Sequence, residues 1–239
     1  MLKESLRSLL WLLHLDITRN LKYDRLTYRV LQKILSIDSN CIDVGSHKGE
    51  LLQWMIKMAP KGIHYAFEPI PSFYKKLKET FEKSAFISPY ALSNEDGKTS
   101  FEFVKNAPAY SGLKRRTYSV SSPDIETIYV EKRRLDEVLP ADYIPHLIKI
   151  DVEGAEFEVM QGSINTLTKH KPYILFEFGL GAADHYSTSP NDVFDFLSSC
   201  GLQIYTLQNF LKSKESLSRE SFSKHFTENS EYYFIAGKK

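Results

Sequence analysis

The sequence predicts an α/β domain built on a doubly wound, mostly parallel sheet. Three observations predict it: an apolar strand that runs into a glycine turn at CIDVGSHKG, residues 41–49, an acidic residue that ends the next apolar run, and strands that alternate with helical patterns. Gly45 permits a tight turn, and Gly49 lets the following helix press close to the sheet. Glu68 follows Gly49 by 19 residues, where such sheets present a carboxylate to ribose hydroxyls. The opening stretch is therefore a candidate cradle for a nucleoside cofactor.

Composition bounds the class of protein. The 239 residues are 42% apolar and 26% charged, which suffices for one sizeable core, and we predict a helical extension over 1–37 before a single domain over 38–239. A net charge of +1 offers no overall field to gather nucleic acid. The two cysteines, Cys41 and Cys200, form no disulfide or zinc pattern and are read as core residues in a reduced compartment.

We expect neither a secretory signal nor a membrane span. The apolar run over residues 9–13 is interrupted by His14 and Asp16, and no small-residue cleavage site follows. Since no apolar window reaches the roughly 18 residues of a membrane span, the prediction is a soluble, cytoplasmic protein.

The first half of the chain alternates helices and strands. Helical periodicity over residues 3–15 and 22–36 predicts a helical pair that covers one edge of the sheet, with a lid or a dimer surface as the functional alternative. After the opening strand the predicted elements are a helix over 50–58, a strand over 63–67, a helix from Pro71 with Phe73, Leu77 and Phe81 on its buried stripe, and a strand over 85–90.

A β-rich insertion follows this third strand. Residues 99–104 and 127–130 read as two β arms, and they flank a polar loop that contains Ser111, Gly112 and a basic run at 114–116. An insertion of this size in an α/β domain is usually functional or disordered. We expect a loop over the mouth of the site, with disorder as the alternative.

Acidic residues end the strands of the second half. The strand predicted over 147–152 is followed by Glu153 and Glu156, and the strand over 173–178 carries Glu177 and leads to a loop with His185. Ligands bind at this edge of open α/β sheets. A helix capped by Ser189 and ended by Gly201, two closing strands over 203–207 and 232–236, and an irregular segment over 212–229 complete the chain, giving a mixed sheet of about seven strands.

The order of the motifs resembles the FkbM-type S-adenosylmethionine-dependent methyltransferases. The motifs are IDVGSHKG, YAFEPIPSFYKKL, YALSNEDG, the LD pair at 135–136, IKIDVEGAEFEVMQG and ILFEFG, and they cover residues 41–179. The resemblance implies a class I methyltransferase (Rossmann-like) fold with helices on both faces of the sheet. It also implies S-adenosylmethionine as donor and transfer to a hydroxyl, often of a saccharide or secondary metabolite. Ser46 and His47 depart from the family, which often has alanine and asparagine there.

Position and resemblance together assign the site. The predicted cofactor residues are Asp43, Gly45, Ser46 and Gly49 at the methionine end, Glu68 and Pro69 at the ribose, Ala91, Leu92 and Ser93 at the adenine, and Asp151. Ser111 and Gly112 are predicted to contact substrate. The candidate general bases are His185 and Glu177, which rank equally, followed by Glu153. Asp151 and Glu177 offer an alternative divalent-ion site, but without a third placed ligand we assign no metal.

Two other functions share the same early motifs. A nicotinamide-dependent oxidoreductase would use the same strand, turn and acid, although the third glycine of the dinucleotide fingerprint is missing. A non-catalytic module would keep the cofactor and lack turnover. The expected partner is a small hydroxylated acceptor, possible homo-oligomers are left open, and no nucleic acid is expected.

Overall fold

The computed structural model describes residues 19–116, 118 and 120–238, so the helix predicted over 3–15 lies outside the described ranges. The strands there are β1 Cys41–Val44, β2 His64–Phe67, β3 Phe86–Ser88, β4 Tyr90–Leu92, β5 Gly97–Val104, β6 Ile125–Arg133, β7 Leu147–Ile150, β8 Tyr173–Glu177, β9 Gln203–Thr206 and β10 Tyr233–Gly237. The α-helices are Arg19–Ile34, Glu50–Met58, Pro71–Phe81, Leu135–Val138, Glu156–Gln161, Ile164–His170, Pro190–Ser199, Leu207–Leu211 and Arg219–Thr227.

The main sheet has seven strands in the order β3-β2-β1-β7-β8-β10-β9. The first five strands of this order are parallel, and β10 runs antiparallel to both of its neighbours. This arrangement confirms the predicted mixed sheet. Because β1, β7 and β8 are parallel neighbours, the residues that follow them, Gly45 and Asp151, lie at one edge with Glu177, the last residue of β8.

Apolar side chains cover both faces of this sheet. Ile42, Ile148 and Phe176 pack with residues of the helices Glu156–Gln161 and Pro190–Ser199 on one face. Cys41, Leu147 and Leu175 pack on the other face with the helices Arg19–Ile34 and Glu50–Met58. The helix Arg19–Ile34 therefore covers a face of the sheet, because Leu26, Val30 and Leu31 are buried against central strands. The sequence analysis predicted that it would cover an edge.

The insertion forms a second sheet, in the order β4-β6-β5. The antiparallel pair β5 and β6 confirms the predicted β arms, which are longer than expected. The single strand predicted over 85–90 is wrong, because it divides into β3 and β4 at Pro89. Proline has no N–H for a ladder, and after it the chain leaves β2 and pairs with β6.

The C-terminal half contains a helix that the sequence analysis missed. The segment 212–229 was predicted to be irregular, but Arg219–Thr227 is helical, with the Ser218 side chain accepting a hydrogen bond from Ser221 N–H. Phe222 and Phe226, four residues apart, are the buried residues of this helix. Two apolar positions are too few to indicate a helix from the sequence alone. The capped helix Pro190–Ser199 is as predicted, with a capping box between Ser189 and Asp192.

Substituting Gly45 should destabilise the fold strongly. Its φ of +74° is left-handed, and a Cβ there would lie 1.9 Å from the carbonyl oxygen of Asp151. Strain at a positive φ and overpacking each cost about 1 to 3 kcal/mol, so Gly45→Ala should lower the free energy of unfolding in urea by about 3 kcal/mol or more. At Gly112 the nearest atoms lie at 3.5 Å without a positive φ, and Gly112→Ala is the matched control. Equal urea midpoints for the two variants would contradict this account.

Candidate active site

Two cavities meet at the carboxyl edge of the parallel strands. The smaller has a volume of about 150 Å³ and lies toward the insertion. The larger has a volume of about 570 Å³ and lies beneath the helix Arg19–Ile34. Gly45, His47 and Asp151 line both, so these three residues form a shared wall between two binding volumes.

The smaller cavity collects many of the predicted cofactor residues. Its lining includes Gly45, Glu68, Pro69, Ala91, Leu92 and Asp151, together with Glu153 and Ser111. Ile70 and Phe101 extend the apolar surface begun by Ala91 and Leu92. An apolar slot with a carboxylate such as Glu68 beside it is suited to a flat base joined to a diol.

Glu68 is the polar centre of this cavity. Its side chain is buried, and its two oxygens accept the N–H groups of His47 at 2.7 Å and Ile70 at 2.9 Å. Burial raises the pKa of Glu68 to about 7, although the two amide hydrogen bonds act in the opposite direction. Each carboxylate oxygen has a second lone pair, so the group remains able to accept hydrogen bonds from a ligand.

The glycine turn is held by its own hydrogen bonds. Ser46 is buried, donates its hydroxyl to the carbonyl of Asp43 at 2.9 Å, and lines the larger cavity. His47 adopts a left-handed φ of 48° and its ring lies 4.5 Å from that of Phe73. Gly49 lines neither cavity.

Gly49 has a packing role that differs from the predicted one. A Cβ at Gly49 would lie 2.7 Å from side-chain atoms of Leu77 and Phe81. The close approach is therefore to the helix Pro71–Phe81, where the sequence predicted the sheet. A ligand contact at Gly49 stays a prediction.

The floor of the larger cavity is charged. Asp43, Lys149, Asp151 and Glu177 line it, and its aromatic walls come from Tyr23, Trp54, Tyr232 and Tyr233. Asp43 is fully buried, and neither of its carboxylate oxygens has a hydrogen-bond partner within the described ranges. Lys149 Nζ lies 3.3 Å from Asp43 Oδ1 as an ion pair. The charge of Asp43 is thus balanced by Lys149, and both of its carboxylate oxygens are closed off from solvent.

Lys149 was missed by the sequence analysis. Its pKa is raised, because the charges of Asp43 and Asp151 outweigh the effect of burial, which lowers it. The available signal was a lysine at the centre of the apolar strand LIKI, where a charge requires compensation. The sequence alone did not say which acids would provide that compensation.

Glu177 is the predicted base that reaches the larger cavity. Burial raises its pKa well above the usual range, and the neighbouring carboxylates of Asp151 and Glu156 add to the shift. A carboxylate with a raised pKa is a better proton acceptor near neutral pH.

The other two candidate bases lie elsewhere. Glu153 lines the smaller cavity with a left-handed φ of 61° and forms an ion pair with Arg116 of the insertion loop. His185 is an exposed residue of a 3₁₀ turn, its Nε2 lies 4.0 Å from Asp184 Oδ2, and it lines neither cavity. The assignment of His185 as base stays a prediction that this placement does not favour.

The insertion loop covers the smaller cavity. Ser111 accepts the N–H of Val104 at 3.0 Å and lines the cavity, and Lys114 N–H donates to Tyr186 Oη at 3.1 Å. Gly112 lies beside the backbone of Glu153 without lining either cavity. The described part of the loop is therefore packed against the site. This agrees with the expected loop over the mouth of the site, for which disorder was the alternative.

Ser93 points away from both cavities. It is buried and donates to Glu158 Oε2 at 2.9 Å, so its proximity to the adenine stays a prediction.

Within residues 19–116, 118 and 120–238, no three His, Cys, Asp or Glu side chains are grouped to hold a metal ion. No helix in these ranges is long and apolar enough to span a bilayer.

The buried acids should make the stability of the protein depend on pH. Burial raises the pKa of Glu156 from 4.5 to about 7, so between these values the folded state holds more protons than the unfolded state. The free energy of unfolding should therefore fall as pH rises from about 4.5 to 7, and Glu68 and Glu177 act in the same direction.

Glu156→Gln is the matched variant for this pH dependence. The Glu156 Oε1 atom accepts the N–H groups of Val152 and Gly154, and a glutamine oxygen can keep both bonds without a charge. Urea unfolding at pH 5 and pH 8 should show a smaller loss of stability in the variant than in the parent. An equal loss in both proteins would show that Glu156 does not titrate in this window.

Comparison with known proteins places the chain among methyltransferases. A family model described as the methyltransferase FkbM domain matches residues 43–204. The hexuronic acid methyltransferase AglP of Haloferax volcanii is 28% identical over 189 residues, which cover 77% of this chain and 72% of the relative. Methyltransferase 1 of Beauveria bassiana is 27% identical over 145 residues, 52% of this chain and 58% of that protein.

A solved structure agrees on the fold. The methyltransferase FkbM of Methylobacillus flagellatus KT is 14% identical, with a TM-score of 0.53, and the alignment covers 85% of this chain and 44% of that one. The chain therefore spans less than two thirds of this protein and of the Beauveria relative.

Proposed function

The chain belongs to the FkbM methyltransferase family, and on that premise we propose that it transfers a methyl group from S-adenosylmethionine to a hydroxyl of a saccharide or secondary metabolite. The observation that carries the proposal is the wall of Gly45, His47 and Asp151 shared by the two cavities. A donor in the smaller cavity and an acceptor in the larger one would be adjacent across this wall. Such alignment of reactants is a large part of catalysis of group transfer.

The residues of the smaller cavity fit the nucleoside part of this cofactor. Glu68 retains lone pairs for the ribose hydroxyls, and Ala91 and Leu92 supply apolar contacts for the adenine. Asp43 lines the larger cavity, so in this proposal the methionine end of the donor extends past the shared wall and brings its ammonium toward the Asp43 carboxylate. When bound, S-adenosylmethionine supplies a methyl group on a positively charged sulfur.

The residues of the larger cavity fit the acceptor. In this proposal Glu177 takes the proton of an acceptor hydroxyl, and its position at the end of β8 in the lining of this cavity supports that role. Tyr232 and Trp54 offer flat faces in the same cavity, and aromatic faces pack well against the C–H surfaces of a sugar ring. The Haloferax relative, named a hexuronic acid methyltransferase, supports a saccharide-like acceptor.

The two alternative functions have no support. The relatives named above are methyltransferases, and the family model is a methyltransferase domain. Neither the oxidoreductase nor the non-catalytic module is proposed further.

Radiolabelled S-adenosylmethionine tests the proposal. Purified protein is incubated with the labelled donor and a panel of neutral sugars, uronic acids and polyketide extracts, and the products are then treated with mild base. We expect label in the acceptor fraction that resists base, as a methyl ether does. Label that base releases would identify a carboxylate ester and overturn hydroxyl transfer, and no transfer to any acceptor would count against the function itself.

A further inference from the structure

Lys149 lies at the centre of the charged floor. It is opposite Asp43 of β1 and Leu175 of β8 in the sheet register. Alternate residues of a strand share a face, so Lys149, Asp151 and Glu177 project to the same side, and all three line the larger cavity.

The ammonium of Lys149 joins two loops of the site. Nζ donates to the carbonyl oxygens of Gly45 at 2.7 Å and Val44 at 3.3 Å, and it lies 3.8 Å from Asp151 Oδ2. The side chain is only 7% exposed. Burying an ammonium costs several kcal/mol unless it is well compensated, and here the compensation consists of cavity-lining groups.

We propose that Lys149 is a positioning residue of the methyl-transfer site, whose ammonium fixes the glycine turn against Asp151 and supplies positive charge to the cavity floor that it shares with Glu177. The second part rests on the proposed function, in which Glu177 is the base. Lys149 itself does not exchange a proton with the acceptor in this account. Its charge acts through the carboxylates around it.

Several charged groups face Glu177, and they act in opposite directions. The groups are Lys149 from β7 and Asp151 directly after it, Glu156 from the helix that follows, Arg116 from the insertion loop, and Tyr233 from the last strand with Tyr232 directly before it. The carboxylates of Asp151 and Glu156 favour the protonated form of Glu177, whereas Arg116 and Lys149 favour the ionised form. Removing Lys149 therefore removes part of the positive charge that offsets the effect of Asp151 and Glu156 on the ionisation of Glu177.

Infrared titration of Glu177 tests this role without turnover. The protonated carboxyl band of Glu177 is isolated by subtracting the spectrum of Glu177→Gln from that of the parent, and the same subtraction is made in the Lys149→Met and Lys149→Arg backgrounds. The midpoint should rise by about 1 pH unit or more in Lys149→Met, as expected for loss of a nearby opposite charge. It should stay close to the parent value in Lys149→Arg, which keeps the charge.

A midpoint in Lys149→Met equal to that of the parent would overturn the proposal. If Lys149→Met does not fold, Lys149→Gln, which removes the charge and keeps a hydrogen-bond donor for the carbonyl oxygens of Gly45 and Val44, carries the same test with the same expected rise. The radiolabel assay separates the two claims. A shifted midpoint without methyl transfer would remove the proposed function and leave the electrostatic role of Lys149, whereas methyl transfer with an unshifted midpoint would remove that role alone.

Discussion

Glu68→Ala is expected to lower the affinity for S-adenosylhomocysteine by about 100-fold or more. Hydrogen bonds to a charged group contribute about 1.5 to 3 kcal/mol each, and the ribose offers two hydroxyls to this carboxylate. The substitution also removes the acceptor for the N–H groups of His47 and Ile70, which loosens the turn beside the ligand. Isothermal titration calorimetry measures the loss.

The matched control for Glu68 is Glu79→Ala. Glu79 is exposed on the helix Pro71–Phe81, so this variant has the same change of charge away from both cavities and should bind as the parent does. Circular dichroism checks that both variants are folded. An affinity of Glu68→Ala within threefold of the parent would remove the ribose assignment.

Glu177→Gln should lower kcat by about 100- to 10,000-fold, the usual contribution of a general base. The glutamine keeps the size of the side chain and cannot take the acceptor's proton. Because Glu177 is absent from the lining of the smaller cavity, which holds the nucleoside in this account, the affinity for the cofactor should stay within about threefold of the parent. Initial rates with saturating donor, together with calorimetry, separate the two quantities.

His185→Gln decides between the two leading candidate bases. His185 is exposed and lies outside both cavities, so its variant should keep most of the parent kcat. A loss in His185→Gln comparable to that expected for Glu177→Gln, with Glu177→Gln itself active, would transfer the role of base to the histidine. Glu153→Gln gives the corresponding test of the third candidate, which is ion-paired with Arg116.

The sequence predicts those parts of the site that depend on local spacing. Gly45 and Glu68 each follow a short apolar strand, and parallel strands bring their ends to one edge, so their proximity could be expected from the pattern alone. The same reasoning placed Asp151 and Glu177 at that edge, where the structure has them.

Features that depend on long-range packing could not be predicted. The partners of Lys149 depend on the register between β1 and β7, and Arg116 reaches Glu153 only because the insertion folds back over the site. Gly49 and Ser93 have the expected residue types, yet their contacts go to a neighbouring helix and to Glu158. A motif gives the position of such a residue along the chain but not the direction it faces.

A crystal structure with S-adenosylhomocysteine tests the central claim most directly, because it shows which cavity holds the cofactor. The account predicts the ribose hydroxyls on Glu68, the adenine against Ala91 and Leu92, the amino acid end at Asp43, and the sulfur beside the shared wall facing the larger cavity. Density for the nucleoside in the larger cavity, away from Glu68, would contradict it.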